Sequence, residues 1–555
     1  MYLENDTIVV SASDVVAFLY CRHVSTLDIE VAQGIRKKPD RDDPMLTLLQ
    51  TRGIEHEKRH LQHLADSSLD VVNLEGNNTT GTGHPKSIEQ RAIDTITALK
   101  NGEDVLFQAT FLDTHSGVKW RGHADFLIRV PKQTDLGDWG YEPQDTKLST
   151  HASASAVLQL SFYADMIAKI QGATVDTIHI VLGSNELASF NLSEFSAYFR
   201  NIRNQFVEMI ANNTPTYPQP NDHCRVCRWS PTCTSQWLND DHLSLVANLS
   251  VNDTKRLNAH GINTLTELAH TPNDLTVPRM SETVLRRLQQ QARLQKQAQP
   301  GMPPPWEFVT PFEEGRGLTA LPEPDPGDVF YDIEGHPYAA PGGGLDYLHG
   351  IEYLDNNTNK FDGKWAHTEH DERRVFEELI DFITQRRQQH PGMHVYHYAH
   401  YEVTALRRMM MKYSTREVEL DDLLRGDVFV DLYRVVNQGI RVGSYSYSIK
   451  KLEPLYMKAR TDDIGDGGSS IVAYEQWLQT GDQTILDDIL LYNHEDVISN
   501  RLLRNWLEER RKEAIDQGLP PERPVNDTPP GDRVPETLRA LINKLNANRY
   551  SNTQP

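Results

Sequence analysis

The chain of 555 residues has only four cysteines, and three of them fall within ten positions. That distribution is poor material for a disulfide framework and points to metal ligation in a reducing compartment. Long apolar runs are missing too. No stretch approaches the ~18 residues of a membrane span, and the opening MYLENDTIVVSASDVV has neither a basic n-region nor a small-residue cleavage site. The expectation is a soluble, cytoplasmic protein with no membrane partner. Positive charge is in deficit: 56 Lys and Arg stand against 78 Asp and Glu, a formal net charge of -22. Non-specific nucleic-acid affinity comes from Lys and Arg displacing counterions, so a general polyanion-binding surface is excluded. Contact with nucleic acid then has to be local, metal-assisted or supplied by a partner.

At ~100–200 residues per domain the length calls for three or four units in an α/β multidomain chain. From Asp104 three strand-like runs, DVLFQATF, VKWRGHADFLIRV and GYEPQDTKL, precede an amphipathic helix, ASAVLQLSFYADMIAKI, and a further strand, TIHIVLG. A first unit over residues 1–238 closes after NDHCRVCRWSPTC. Residues 239–300 read as a helical connector, with Leu257, Ile262, Leu265 and Leu268 placed around Gly261 and a basic helix, TVLRRLQQQARLQK, behind them. This segment resembles a helix-hairpin-helix, and a helical spacer is the equal alternative. A Pro-rich linker over 301–325, a second α/β unit over 326–511 and a polar, partly disordered tail over 512–555 complete the organisation.

Within the first unit, GHADFLIR puts Asp125 in a strand, and YEPQDTKL puts Asp145 and Lys147 two residues apart in the next. Alternation points residues i and i+2 to one face, so a carboxylate and an ammonium share a pocket. Hydrolysis of a phosphodiester at a metal needs hard oxygen ligands and a cation near the attacking water. The pattern of Asp, then D-x-K, then a helix bearing QLSFY resembles the PD-(D/E)XK nucleases of the RecB family over residues 10–235. The resemblance implies a restriction-endonuclease-like core with Mg²⁺ or Mn²⁺. It adds Gln159 and Tyr163 from the family's Q-x-x-x-Y helix, and His56, in RGIEHEKRHLQHL, as a metal ligand. Glu55, Glu57 and His60 lie within a turn of His56, and each is an alternative in that place. The chain departs from the family's common E-x-K, because Glu142 is followed by Gln144; D-x-K is the working triplet.

Cys21 lies ahead of this core, and Cys224, Cys227 and Cys233 follow it as C-x2-C-x5-C. Four thiolates suit zinc or a 4Fe-4S cluster. The split of one ligand before the core and three after it resembles the iron-sulfur RecB-like nucleases, including the AddB type and the CRISPR-associated adaptation nucleases. The resemblance implies a structural 4Fe-4S cluster that closes a loop of about two hundred residues.

In the second α/β unit, DVFYDIEGHP carries Asp332 and Glu334 on one strand face, and ILLYNHEDVISNRLLRNWL carries Tyr492 and Asp496 at i,i+4 on a helix. Such a set can hold two metals ~3.5–4 Å apart. It resembles the DnaQ-like 3′–5′ exonucleases of the RNase H-like fold over residues 326–510, with Tyr492 orienting water. AHYEVTALRRM offers Glu402 where that family has Asp, and Asp431, in VFVDLYRVV, is its rival.

Together these readings imply a metal-dependent DNA nuclease with two sites, acting on single strands or ends in DNA repair or processing. A non-catalytic nucleic-acid-binding scaffold for a helicase, and an RNA-processing exonuclease, stand as alternatives. The chain carries no G-x-x-x-x-G-K-[ST] loop; GDGGSS at 465–470 does not fit one.

Overall fold

The computed structural model describes residues 1–40, 43–75, 86–340, 343–458, 460, 467–524, 540, 541 and 544. The chain divides into two compact units, Met1–Gln236 with Pro337–Gly344, and Trp237–His336 with Leu345–Pro555. Among the described residues no helix is long and apolar enough to cross a membrane.

The first unit is built on an eight-stranded sheet of β1 (Tyr2–Glu4), β2 (Thr7–Ser11), β3 (Val71–Asn73), β4 (Val105–His115), β5 (Val118–Val130), β6 (Gly140–Thr146), β7 (Thr177–Val181) and β8 (Leu187–Asn191). Six helices accompany it: α1 (Ala12–Tyr20), α2 (Arg22–Ala32), α3 (Pro44–Asp66), α4 (Ile88–Asn101), α5 (Ala154–Gln171) and α6 (Ser196–Asn212). The three strands, helix and strand expected from Asp104 onward are β4, β5, β6, α5 and β7. Helix α5 begins at Ser153, whose hydroxyl accepts from the Ala156 amide at 3.2 Å, and ends at Gly172, whose φ of +63° is the left-handed stop that glycine adopts without strain. Its inner face, including Leu160 and Ile167, packs on Trp120, Leu127 and Ile178 of the sheet. Strand β5 is the spine. β4 lies antiparallel along one edge, while on the other β2 pairs in parallel with residues 119–121 and β6 antiparallel with 126–130. Asp125 lies at the fork between β2 and β6, and the register Phe126↔Gln144 sets it beside Asp145.

The second unit begins within α7 (Ser230–Asn239) and continues through α8 (Val251–Ala259), α9 (Leu265–His270) and α10 (Glu282–Gln297), whose apolar faces share Leu257, Ile262, Leu268, Leu285 and Leu288. Gly261 turns the expected hairpin with a φ of +83°. These helices are integral to the unit, not a free connector. The buried Gln291 donates to the Val442 carbonyl at 2.8 Å and Gln295 to Leu245 at 2.7 Å, satisfying polar groups that burial would otherwise strand. The Pro-rich stretch also differs from an open linker: β9 (Trp306–Phe308) pairs with β15 (Ile440–Val442), and Leu318 and Leu321 are wholly buried with Val435 and Val436. Its apolar residues, few as they are, outweigh its prolines.

The central sheet of this unit has five strands in the order β12 (Thr358–Trp365), β11 (Gly343–Asp355), β10 (Val329–Ala340), β13 (Val395–His397) and β14 (Phe429–Asp431). β10, β13 and β14 run parallel, and β11 and β12 form an antiparallel pair. Helices α11 (Glu369–Gln389), α12 (Tyr401–Tyr413) and α13 (Glu417–Arg425) share one apolar core with β10 and β13. Helices α14 (Leu432–Gly439), α15 (Ile449–Leu452) and α17 (Gln483–Asp516) contribute to a second, and α16 (Gly467–Thr480) packs on α17. Gly465 and Asp466 of GDGGSS and most of the tail lie outside the described residues. The start of the tail is anchored, since Arg523 pairs with Glu508 at 2.7 Å.

Candidate metal centres

Strand alternation on β10 turns Asp332 and Glu334 to the same side, and α17 presents Asp496 one turn after Tyr492. Among the described residues, Asp332, Glu334 and Asp496 are the set of three ligand side chains whose oxygens all lie within 4.8 Å of one another. Burial and mutual repulsion work against their ionisation. Glu334 is pushed up to about 8 by burial and by Asp496. Asp332 rises well above the carboxylate range through burial, Asp496 and Glu334. Asp496 also rises with burial, against the opposing Arg460 guanidinium, which reaches one of its oxygens and also Glu453.

Side chains that the sequence did not single out set the geometry. Asn493 donates to Asp332 at 2.8 Å and fixes its rotamer. Lys450 donates to the Tyr492 hydroxyl at 3.1 Å, with its ammonium 4.4 Å from the ring centre. Burial and the three carboxylates push Tyr492 far above its usual range, so it stays a hydrogen-bond donor. Glu402, in the first turn of α12, is buried with its carboxylate 3.5 Å from His397. It raises both Asp332 and Glu334 but is not a member of the close set. Asp431 does something else: it caps α14 at the Arg434 amide and accepts from the Ala399 amide at 2.9 Å. That second bond holds Ala399, with a φ of +68°, in a conformation costing roughly 1–2 kcal/mol for a residue with a Cβ.

A family model, RNase_H_2 of the RNase H superfamily, matches residues 329–508. The second unit contains an RNase H-like domain. No curated protein matches the chain. The matched span contains Asp332, Glu334, Glu402, Tyr492 and Asp496. Three converging carboxylates whose ionisation the fold opposes fit a hard divalent cation, Mg²⁺ or Mn²⁺, whose charge would offset that repulsion.

In the first unit the buried Asp145 carboxylate lies 2.6 Å from the Lys147 ammonium, which donates to Gln159 at 3.2 Å; Gln159 in turn donates to Tyr163 at 3.4 Å. Asp125 rises well above its usual range through burial and the Asp145 charge. Burial and the charges of Asp125 and Asp145 likewise raise Tyr163. Five of the six expected residues therefore form one contiguous set. His56 is buried on α3 with Nε2 3.4 Å from the Val181 carbonyl, kept below its usual range by burial. Among the described residues it completes no three-ligand group with Asp125 and Asp145. Its neighbours separate clearly. Glu55 is exposed and paired with Arg52, and His60 hydrogen-bonds Gln144. Glu57 faces the aspartates, and burial followed by the Asp145 charge raises it against a Gln108 hydrogen bond. Gln108 itself sits in mid-strand with a φ of +58°, a strained backbone whose side chain reaches Glu57.

The cysteines converge from both ends of the first unit. Cys21 lies at the junction of α1 and α2, while Cys224, Cys227 and Cys233 lie ahead of and within α7. The N-terminal helices are tied to this segment by Trp229 donating to Asp28 at 2.9 Å and by Tyr20 stacking on His223 at 4.6 Å. Cys233 is pushed up to about 11 by burial and then by Cys227, Cys21 and Cys224, although among the described residues no three of these thiols lie within 4.8 Å of one another.

Proposed function

We propose that the protein is a metal-dependent nuclease, a phosphodiester hydrolase acting on DNA. The carrying observation is the convergence of Asp332, Glu334 and Asp496 within 4.8 Å beside Tyr492 in an RNase H-like domain. Divalent cations bound there supply activation of water and relief of charge on the departing oxygen. The chain supplies the rest. Asn493 orients Asp332, Arg460 takes up one Asp496 oxygen, and Tyr492, kept protonated and held by Lys450, donates toward the attacking water. Glu402 stands as a further ligand reached by a longer arm than the usual aspartate, and the resemblance to DnaQ-like enzymes makes trimming from a 3′ end the expected reaction.

We read the first unit as a RecB-like PD-(D/E)XK site. Support comes from the chain of contacts through Asp125, Asp145, Lys147, Gln159 and Tyr163, with Asp125 and Asp145 as ligands of Mg²⁺ or Mn²⁺ and Lys147 beside the water. His56 enters as a ligand by the family resemblance. Cys21, Cys224, Cys227 and Cys233 are assigned a structural 4Fe-4S cluster by the family resemblance. A cleavage assay on end-labelled single- and double-stranded DNA and RNA with Mg²⁺ or Mn²⁺ tests the whole reading. Metal-dependent cleavage with two components, one removed by Asp145→Asn and the other by Asp332→Asn, is the expected result. No cleavage of any polymer would leave a nucleic-acid-binding scaffold.

A further inference from the structure

In a chain of net charge -22, one cleft of the second unit runs against the trend. A cavity of about 670 Å³ lies between α10, the segment after β9 and the α14–β15 turn, and Arg286, Arg287, Arg293, Arg316 and Arg441 all line it. Two of them have carboxylate partners on the same wall, Arg286 with Glu282 and Arg316 with Glu313. The other three have none among the described residues. Arg293 has only the Asn273 amide oxygen, at 3.2 Å. Arg287 lies on α10, exposed along part of its length, and partial burial of its guanidinium followed by the Arg441 charge lowers it from the usual arginine range.

Arg441 is the decisive residue. It is 2% exposed, its Nε has no hydrogen-bond partner, and no carboxylate among the described residues lies within ion-pair distance. A guanidinium taken out of water without a counter-charge is strongly destabilising, so a fold that keeps one there has use for an anion in front of it. Phe308 and Phe312 line the same cleft with ring centres 6.0 Å apart, edge to face. Guanidinium groups for phosphates with aromatic faces for bases are the chemistry that holds single-stranded nucleic acid without reading its sequence.

We propose that this cleft binds a single nucleic-acid strand through its backbone phosphates, with Phe308 and Phe312 as base-stacking partners. The inference rests on the proposed function in one respect: the strand held here is the strand delivered to a nuclease site. It resolves the conflict between an acidic protein and a polyanionic substrate by confining positive charge to one tract.

The test uses the full chain in chelator, where cleavage is suppressed, and fluorescence anisotropy of labelled oligothymidylate and oligouridylate of about 20 nucleotides. Arg287→Glu and Arg293→Glu should each weaken binding by about tenfold and flatten the dependence of log affinity on log salt by roughly 0.7 for each phosphate no longer neutralised. Arg374→Glu, an exposed arginine on α11 outside the cleft, should bind as wild type. Arg441→Gln should also weaken binding, with its fold checked by thermal melting; the Arg287 and Arg293 variants, at positions that are not buried, keep the test valid if it does not fold. Binding of one polymer over the other identifies the source of the strand and supports the cleft either way. No binding by wild type, wild-type affinity in both Arg287→Glu and Arg293→Glu, or equal weakening by Arg374→Glu would overturn the inference. Cleft-dependent binding with no cleavage in Mg²⁺ or Mn²⁺ would sink the nuclease reading alone; cleavage with cleft-independent binding would sink the cleft alone.

Discussion

In the first unit the Lys147 ammonium lies 2.6 Å from Asp145, so part of the carboxylate charge is neutralised by the chain itself. In the second, Asp332, Glu334 and Asp496 crowd within 4.8 Å; Arg460 pairs with Asp496 at 2.5 Å and Lys450 donates to Tyr492, so one guanidinium meets three carboxylates. The difference says what each arrangement needs. Two carboxylates and a lysine can stand as a hydrogen-bonded ion pair, whereas three converging carboxylates are unfavourable until a cation joins them. The second site therefore implies a metal by its electrostatics, while the first implies one mainly through its likeness to a family.

The sharpest way to break this comparison is to remove ligands from the second site only. Asp332→Asn or Asp496→Asn should lower 3′ trimming by at least about 10²–10³-fold while leaving the activity that depends on Asp145, because neither site borrows a ligand from the other. Loss of both activities together would merge the two sites into one. Next in size is the thiol cluster. Protein prepared without oxygen should be brown, with broad absorption near ~400 nm, and Cys227→Ser should lose iron and lower the melting temperature of the first unit. Stoichiometric zinc without iron would replace the cluster and keep the staple. Lys147→Ala should then slow first-site cleavage under single-turnover conditions by roughly 10²-fold with metal binding retained, since its charge acts on water or phosphate. Full activity would return Lys147 to a structural ion pair.

The crowding of carboxylates at the second site also sets a pH dependence. In the folded chain Glu334 is pushed up to about 8 from an ordinary 4.5. The folded state therefore holds the extra proton between those values, so this group's contribution to metal-free stability is full below the lower one and is lost as pH rises toward the upper. Thermal melting in chelator should show that decline, and Mn²⁺ should flatten it; a flat profile in chelator would mean the carboxylates do not repel as described. The smallest effect belongs to Glu402→Asp. A shorter carboxylate suits the strict ~2.0–2.1 Å octahedron of Mg²⁺, so Mg²⁺-supported trimming should rise a few-fold relative to Mn²⁺.

The grouping of the candidate site residues was legible in the sequence where a local periodicity orients them. Strand alternation paired Asp332 with Glu334 and Asp145 with Lys147, and the helical i,i+4 repeat paired Gln159 with Tyr163 and Tyr492 with Asp496. What supports them was not legible. Lys450 and Arg460 come from segments whose approach is set by tertiary packing, and Asn493 is one polar residue among several on a long helix. Glu57 was hidden for another reason. Among the α3 residues only His56 is fully buried, so no apolar stripe sets the helix phase, and Glu55, His56, Glu57 and His60 compete in sequence. The Pro-rich stretch misled because proline content is local, while the burial of Trp306, Leu318 and Leu321 depends on partners more than a hundred residues away.

The most direct test of the central claim, that Asp332, Glu334 and Asp496 form a metal-dependent nuclease centre, uses 5′-labelled single-stranded DNA, Mn²⁺ and two full-length variants. With the first site silenced by Asp145→Asn, a ladder of products shortened from the 3′ end is the expected result, and adding Asp332→Asn should abolish it. No trimming by the single variant, or the same ladder from both, would contradict the claim.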